Sequence, residues 1–323
     1  MGKILFIRGG AIGDFILTLP AIQLVREQLP DAEVEVLGYP PVTRLAQAAN
    51  LAHGARSIEY GPLSSFFIPN GLLAPELMDY FKSFSVIFSY LYDPDGYFEA
   101  NLQRCEISTL FKGPHRIDES LADQSAATQL AKPLESLALY LDQPFVTLSF
   151  DEASRQAADA FFAKTGADAD SQWIAIHPGS GSPRKNWSFE GWIEVATQLQ
   201  AENPRRRFLI TSGEAEDRVI TEFLALLEAA GVPHTHAGHL SLPELGAILQ
   251  RCQGYLGHDS GISHLATACG IPSVLLFGPT NPKIWAPQNP EVSVLAAPDG
   301  DLSRIRPESV LIEVRRLLTN RES

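Results

Sequence analysis

Four loops carry the side chains that could do chemistry, and each follows a short apolar run. The first is Gly9-Gly10-Ala11-Ile12-Gly13-Asp14, after the strand-like stretch Lys3–Arg8. A carboxylate at a helix start is held by unpaired backbone N–H groups, and Asp14 so placed can take a proton from a substrate hydroxyl as general base. Arg8, at the strand end, can orient an anionic acceptor. The plainer alternative is a tight turn in which Asp14 only caps the helix and Arg8 is a solvated charge. The second loop is Ser180-Gly181-Ser182-Pro183-Arg184-Lys185-Asn186-Trp187, whose hydroxyls and lysine, just ahead of a helix, suit phosphate oxygens. An ordinary surface lysine is the alternative for Lys185. In the third loop, Ser212-Gly213-Glu214-Ala215-Glu216, one glutamate can bond ribose hydroxyls or a base, or both simply favour a first helical turn.

The fourth loop, His258-Asp259-Ser260-Gly261-Ile262-Ser263-His264, lies between the strand-like Gly254-Tyr255-Leu256-Gly257 and a helix through Leu265, Ala266 and Thr267. Free N–H groups at that helix start bind phosphate, and Gly261 lets backbone approach a ligand closely. His264, one turn after Ser260, can reach a phosphate or sugar; otherwise it is a buried histidine satisfied by backbone. The loop points to an anionic, nucleotide-like ligand in the C-terminal half.

Several chemistries are disfavoured by spacing. The glycines at 9, 10 and 13 do not form G-x-G-x-x-G, and the strand ending at Leu37-Gly38 offers no ribose acid, which argues against a nicotinamide oxidoreductase. The P-loop pattern is absent, as is G-x-S-x-G around Ser260. His258, Asp259 and His264 lack a further ligand at metal-site spacing, so no metal is expected.

These loops need elements to position them. Strand-like runs at Lys3–Arg8, 34–37, 85–88, 173–177, 208–211, 255–256 and Ser273–Phe277 alternate with helical patterns. The patterns include one through Phe15, Leu19, Ile22 and Val25, one after Pro41, and others over 118–141, 188–201 and 307–319. Gly213-Glu214 is expected to open a helix, and Ser241 with Glu244 forms a capping box for another. Alternation of this kind predicts an α/β fold of two doubly wound parallel-sheet domains facing across a cleft, with ligands outside the carboxyl ends of the strands. The expected domains are 1–150, 151–306 and a terminal helical segment 307–323, with the crossover over 144–151. Residues 61–75, rich in proline and aromatics, read as a loop that either folds under or touches a lipid-like or sugar partner.

Composition bounds the rest. The 323 residues, 45% hydrophobic, suit two domains with separate cores. A net charge of -13 argues against wholesale nucleic-acid binding. Three cysteines, Cys105, Cys252 and Cys269, without CxxC spacing predict buried thiols in a reduced cytoplasmic compartment. No signal peptide and no membrane-spanning run is read.

Taken together, Gly10-Ala11-Ile12-Gly13-Asp14, His177-Pro178-Gly179-Ser180 with Lys185-Asn186-Trp187, Asp259-Ser260-Gly261-Ile262-Ser263-His264-Leu265 and Phe277-Gly278-Pro279-Thr280 resemble glycosyltransferase family nine, the ADP-heptose:lipopolysaccharide heptosyltransferases. The resemblance implies a GT-B fold of two Rossmann-like domains, with donor in the C-terminal domain, acceptor in the N-terminal one, and the last helix crossing back to the first. It implies Asp14 as catalytic base, with Arg8 and Gly13 at the acceptor. It implies Ser180, Ser182 and Lys185 on the donor phosphates, Lys185 also steadying the leaving charge. Glu214 or Glu216 would meet ribose or adenine, Asp259 the donor sugar, and Ser260, Gly261 and His264 the pyrophosphate. Family members often carry threonine where Ser180, Ser182 and Ser260 stand; the hydroxyl is kept. The expected enzyme is inverting, needs no metal or cofactor, uses an ADP-sugar as donor substrate and a glycan or glycolipid as acceptor, and works as a cytoplasmic monomer. Peripheral contact with the cytoplasmic face of the inner membrane stays open. The alternative on the same fold is a non-catalytic nucleotide-sugar-binding protein.

Overall fold

A computed structural model describes residues 2–214 and 216–322, with side chains to residue 319. Ala215, part of the third loop, lies outside the described residues. The chain divides into two compact units, Met1–Val146 and Thr147–Ser323.

The first unit is built on a parallel sheet of β1 (Lys3–Arg8), β2 (Glu33–Gly38), β3 (Gly54–Ser57), β4 (Val86–Ser89) and β5 (Leu110–Lys112), in the order β3-β2-β1-β4-β5. Ile4 to Ile7 of β1 are all buried, as expected of a central strand covered by helices on both faces. The helical pattern after β1 is split into Ile12–Ile16 and Leu19–Gln28. Pro20, which lacks an N–H, sits in the first turn of the second piece, where none is needed. Residues 61–75, read as a loop, contain a 3-10 helix, Gly61–Phe67, that buries Phe66 against Phe81 and Phe98 while Ile68 and Leu72 stay exposed. The helix expected over 118–141 is only Ala126–Ala131, capped by Ser125, and then tightens into a 3-10 turn at Lys132–Leu137. Pro133 cannot donate to an α-helical ladder, which accounts for the change.

The second unit has β6 (Gln172–Ile176), β7 (Arg206–Ser212), β8 (His234–Gly238), β9 (Gly254–His258), β10 (Ser273–Phe277) and β11 (Val292–Ala296), all parallel, in the order β11-β10-β9-β6-β7-β8. β9 and β10 are buried throughout. Ile174, Ile176, Phe208 and Ile210 share one core with Trp192, Val195 and Leu199 of the helix Phe189–Glu202 and with Phe223 and Leu227 of Ile220–Ala229. Gly213-Glu214 does not open that last helix; turns fill 216–219 and it begins at Ile220. The final helix, Pro307–Glu322, expected to cross to the first domain, buries Val310, Leu311, Val314 and Leu318 in this same second-unit core. Burying four such side chains is worth roughly 1.5–3 kcal/mol each, so the helix is integral to the second unit.

Both sheets have the doubly wound order, in which strand succession reverses beside the first strand of each unit. The reversals fall between β1 and β4 and between β6 and β9. A crevice opens there because the connections leave in opposite directions.

Candidate active site

At the first reversal, the turn after β1 brings Asp14 back towards the strand end. Asp14 Oδ2 accepts a hydrogen bond from Ala11 N at 3.0 Å, the N-terminal capping geometry of a short helix. Gly10 has φ +97°, and a side chain there would stand 2.8 Å from Asp14 Oδ2, so the glycine is required twice over. Arg8 is buried rather than solvated. Its Nη2 lies 3.5 Å from Asp14 Oδ1, Nη1 donates to Tyr90 O at 3.4 Å, and its guanidinium carbon stands 5.8 Å from the Tyr90 ring centre. Burial pulls the Arg8 guanidinium below its ordinary range, and the Asp14 carboxylate opposes that pull. Arg8 therefore holds Asp14. Asp14 itself remains about a third exposed (35%), so a hydroxyl can reach it. Gly13 lies in the first turn of the same helix, its carbonyl accepting from Leu17 N at 2.9 Å.

These groups open onto a cavity of about 430 Å³ lined by residues from beyond every strand of the sheet: Gly9 after β1, Tyr39 after β2, Glu59 after β3, Tyr92 after β4 and His115 after β5.

At the second reversal, Lys185 Nζ donates to Asp259 Oδ2 at 2.6 Å, and Thr280 Oγ1 donates to the same oxygen at 2.8 Å. The pair joins the loop after β6 to the loop after β9, and Thr280 adds the loop after β10. Asp259 is buried and Lys185 partly exposed (30%), so the ammonium remains accessible to an anion. Ser260 caps the helix Gly261–Ala268, its Oγ accepting from Ser263 N at 3.2 Å. The hydroxyl is thus occupied, while the first N–H groups of this eight-residue helix have no acceptor within the helix, as at any helix start. Ser180 Oγ sits 2.7 Å from Asn186 Oδ1 and 2.8 Å from Ser182 O, and accepts from Ser182 N at 3.3 Å, shaping the loop from within. His264 is buried in the second turn of the helix.

His258, weighed as a metal ligand, is a clamp. Trp187 N donates to its Nε2 at 2.7 Å, which puts the proton on Nδ1, facing Gly179 O at 3.4 Å. Burial pushes its pKa down to about 3, so it is neutral at physiological pH and can accept from Trp187. Both ends of the phosphate-type loop are thereby tied to β9. Among the described residues, no three His, Cys, Asp or Glu side chains converge as a metal would require.

The two glutamates of the third loop separate cleanly. Glu214 is exposed. Glu216 is buried, accepts from Gly213 N at 2.8 Å, and lies 3.7 Å from His177 Nε2. A side chain on Gly179 would meet Glu216 Cγ at 2.3 Å, so Gly179 makes room for this carboxylate. Burial lowers the His177 pKa against the pull of Glu216.

Sequence reasoning named Arg8, Asp14, Lys185, Asp259 and Ser260, and the structure groups the first two and the last three. It missed Thr280 as a partner of Asp259, Asn186 as a partner of Ser180, and the Tyr92–His115 pair. Thr280 had a usable signal, since it follows a buried strand in the segment Phe277-Gly278-Pro279-Thr280. The Tyr92–His115 pair had none, because only the sheet topology brings its two loops together, whereas Asn186 stands six residues after Ser180 in the same loop.

Comparison with known proteins agrees with this fold. The chain is 26% identical over 329 residues to lipooligosaccharide heptosyltransferase 2 of Haemophilus ducreyi, covering 94% of this chain and 91% of the relative. Its fold superposes on a glycosyltransferase family 9 structure from Veillonella parvula with a TM-score of 0.82 at 20% identity, covering 99% and 98% of the two chains. It also superposes on the E. coli ADP-heptose LPS heptosyltransferase II with a TM-score of 0.77 at 20% identity, covering 99% and 100%. The two Rossmann-like domains are thus those of the GT-B fold. The sequence pattern of glycosyltransferase family 9 (heptosyltransferase) matches residues 114–310, more than half of the chain and all of the Lys185–Asp259–Thr280 cluster. The chain belongs to that family and is a glycosyltransferase.

Proposed function

We propose that this enzyme transfers heptose from ADP-heptose to a sugar hydroxyl of a lipopolysaccharide-core or related glycan, with inversion and without a metal ion. The observation that carries the reading is the Lys185–Asp259–Thr280 cluster beside the open N-terminus of Gly261–Ala268, which suits a diphosphate. The donor sugar and nucleotide rest on the names of the relatives described above. Lys185 and the N–H groups at Ser260 and Gly261 take the diphosphate, with Ser180, Ser182 and His264 bounding it. Asp259 meets the sugar and Glu214 the ribose or adenine, with Glu216 bracing that loop.

In the reaction the acceptor oxygen attacks the anomeric carbon, and the bond from that carbon to the phosphate oxygen breaks. ADP leaves with the electron pair, and the hydroxyl proton passes to Asp14. Lys185 and the helix N–H groups stabilise charge on the departing phosphate, the service a divalent cation gives elsewhere. Among the described residues no helix is long and apolar enough to cross a membrane. Work at the cytoplasmic face of the inner membrane on a glycolipid acceptor, as a monomer, completes the reading.

The test is a thermal-shift screen of ADP-, UDP-, GDP- and dTDP-sugars, followed by turnover with EDTA present and NMR of the product anomer. Selective stabilisation by ADP-heptose, EDTA-resistant transfer and an inverted anomer are expected. Selective response to a UDP-sugar removes the donor assignment. A melting shift with ADP-heptose but no ADP release on any acceptor favours the non-catalytic alternative.

A further inference from the structure

The cavity beside Asp14 has a chemical character that narrows the acceptor. It holds about 430 Å³ and adjoins a second cavity of about 210 Å³ over the ends of β4 and β5; Leu91, Tyr92 and His115 line both. The larger is of ligand-pocket size. The Tyr92 and His115 rings lie 4.8 Å apart, inclined at 48°, and Tyr92 is 67% exposed, so this ring pair stands open between the two spaces. Tyr39 and Phe67, both exposed aromatics, line the larger cavity too.

Its charge is the second observation. Four carboxylates line the two cavities, those of Asp14, Glu59, Asp93 and Glu99, against two permanent cations, Arg8 and Lys112. Each cation is engaged with one of these carboxylates, Arg8 with Asp14 and Lys112 2.8 Å from Glu99. Asp93 accepts from Phe98 N and Glu99 N. The lining keeps an excess of two negative charges, with Glu59 among the carboxylates outside those pairs. Among the described residues, no lysine or arginine lining these spaces is left over for a phosphate or carboxylate on the acceptor. Carboxylates that accept hydrogen bonds from hydroxyls, set beside exposed aromatic faces, suit a sugar ring instead. An anionic group would meet repulsion in a partly enclosed space, where water screens less.

We infer that the sugar unit seated here is uncharged, bearing neither phosphate nor carboxylate, and that Tyr92 with His115 forms the platform on which it stacks. This departs from the sequence expectation that Arg8 orients an anionic acceptor. It rests on the heptosyl-transfer reading only for the claim that the occupant is the acceptor.

The experiment uses the full chain and two glycans: a heptose-terminated core oligosaccharide, and the same oligosaccharide with a phosphate monoester on that heptose. Binding of each is measured by saturation-transfer NMR titration without donor, and ADP binding by thermal shift in parallel. The neutral glycan should bind at least about ten-fold more tightly than the phosphorylated one. Tyr92→Ala should weaken the neutral glycan by about ten-fold, and Tyr92→Phe should restore it, with the ADP-induced melting shift unchanged in both. Tyr92 is exposed, so neither substitution threatens the fold. Equal or tighter binding of the phosphorylated glycan overturns the inference. So does an unchanged affinity in Tyr92→Ala, or no binding of either glycan. An ADP shift that persists in those cases leaves the donor reading standing, while loss of the ADP shift with neutral-glycan binding intact sinks the donor reading alone.

Discussion

Replacing Asp14 with asparagine separates its proposed proton-accepting role from its structural one. Asparagine keeps an oxygen that can accept from Ala11 N, so the cap at 3.0 Å is retained. It loses the charge that faces Arg8 at 3.5 Å, and its NH2 group would point at another donor. At that distance, with an effective permittivity of about 20, the gross attraction is roughly 5 kcal/mol. Asp14 is 35% exposed, so solvent screening reduces the net contribution to about 1 kcal/mol. For a chain of two such units that corresponds to a fall in Tm of roughly 2–4 °C. Loss of a general base is larger and of another kind, a drop in kcat of roughly 10²–10⁴. The assay is ADP release from ADP-heptose with acceptor present, at a temperature well below both melting points, with donor binding followed by thermal shift. The expected variant is folded, binds ADP-heptose as the parent does, and turns over at most a hundredth as fast. Turnover within about ten-fold of the parent would refute Asp14 as the base and leave it only the capping and Arg8-pairing roles.

Lys185→Met keeps the length of the side chain and removes its charge; kcat should fall by roughly 10²–10³, measured by ADP release, with the Asp259–Thr280 bond left in place. Glu214→Ala should raise the KM for ADP-heptose several-fold without moving the Tm, because Glu214 is exposed, whereas Glu216→Ala should lower stability by about 1–3 kcal/mol in urea titrations by orphaning Gly213 N; the opposite pattern would exchange their roles. His258, whose folded pKa of about 3 lies below its unfolded value, supplies stability that is complete above about pH 6.5 and is lost as pH falls towards 3, at up to roughly 1.4 kcal/mol per pH unit. Urea titrations between pH 4.5 and 7.5 should show that slope, which His177, also lowered, steepens. A stability that is flat over this range contradicts a neutral buried clamp.

Central strands were legible because burial on both faces demands an unbroken apolar run, as in β1 and β10. The outer strands β3, β5, β8 and β11 were not, because their partly exposed residues, such as Arg56, Lys112, His234 and Ala296, relax that demand. The helix expected over 118–141 is cut short at its far end by Pro133, and it starts only at Ala126, after turns that fill the stretch before Ser125. Loop residues were legible where glycine and hydroxyl spacing reports on a turn. Partners met only through tertiary structure, such as His115 on Tyr92, leave no such trace.

The placement of these groups has one physical origin in both units. In a parallel sheet every strand ends on the same side, so the loops after β1 and β4, and after β6 and β9, are brought side by side by the backbone alone. At the reversal the helices that follow those strands leave on opposite faces, and the space between their first turns stays unfilled. Polar side chains placed there need partners, and each unit supplies them in pairs: Arg8 with Asp14, Lys185 with Asp259. The pairs differ in which partner is shielded. In the first unit the cation is buried and the carboxylate left partly open. In the second the carboxylate is buried and the ammonium left partly open. Opposite burial of like components, set on the same scaffold, is the physical basis on which the proposed function assigns the acceptor hydroxyl to the first unit and the donor phosphate to the second.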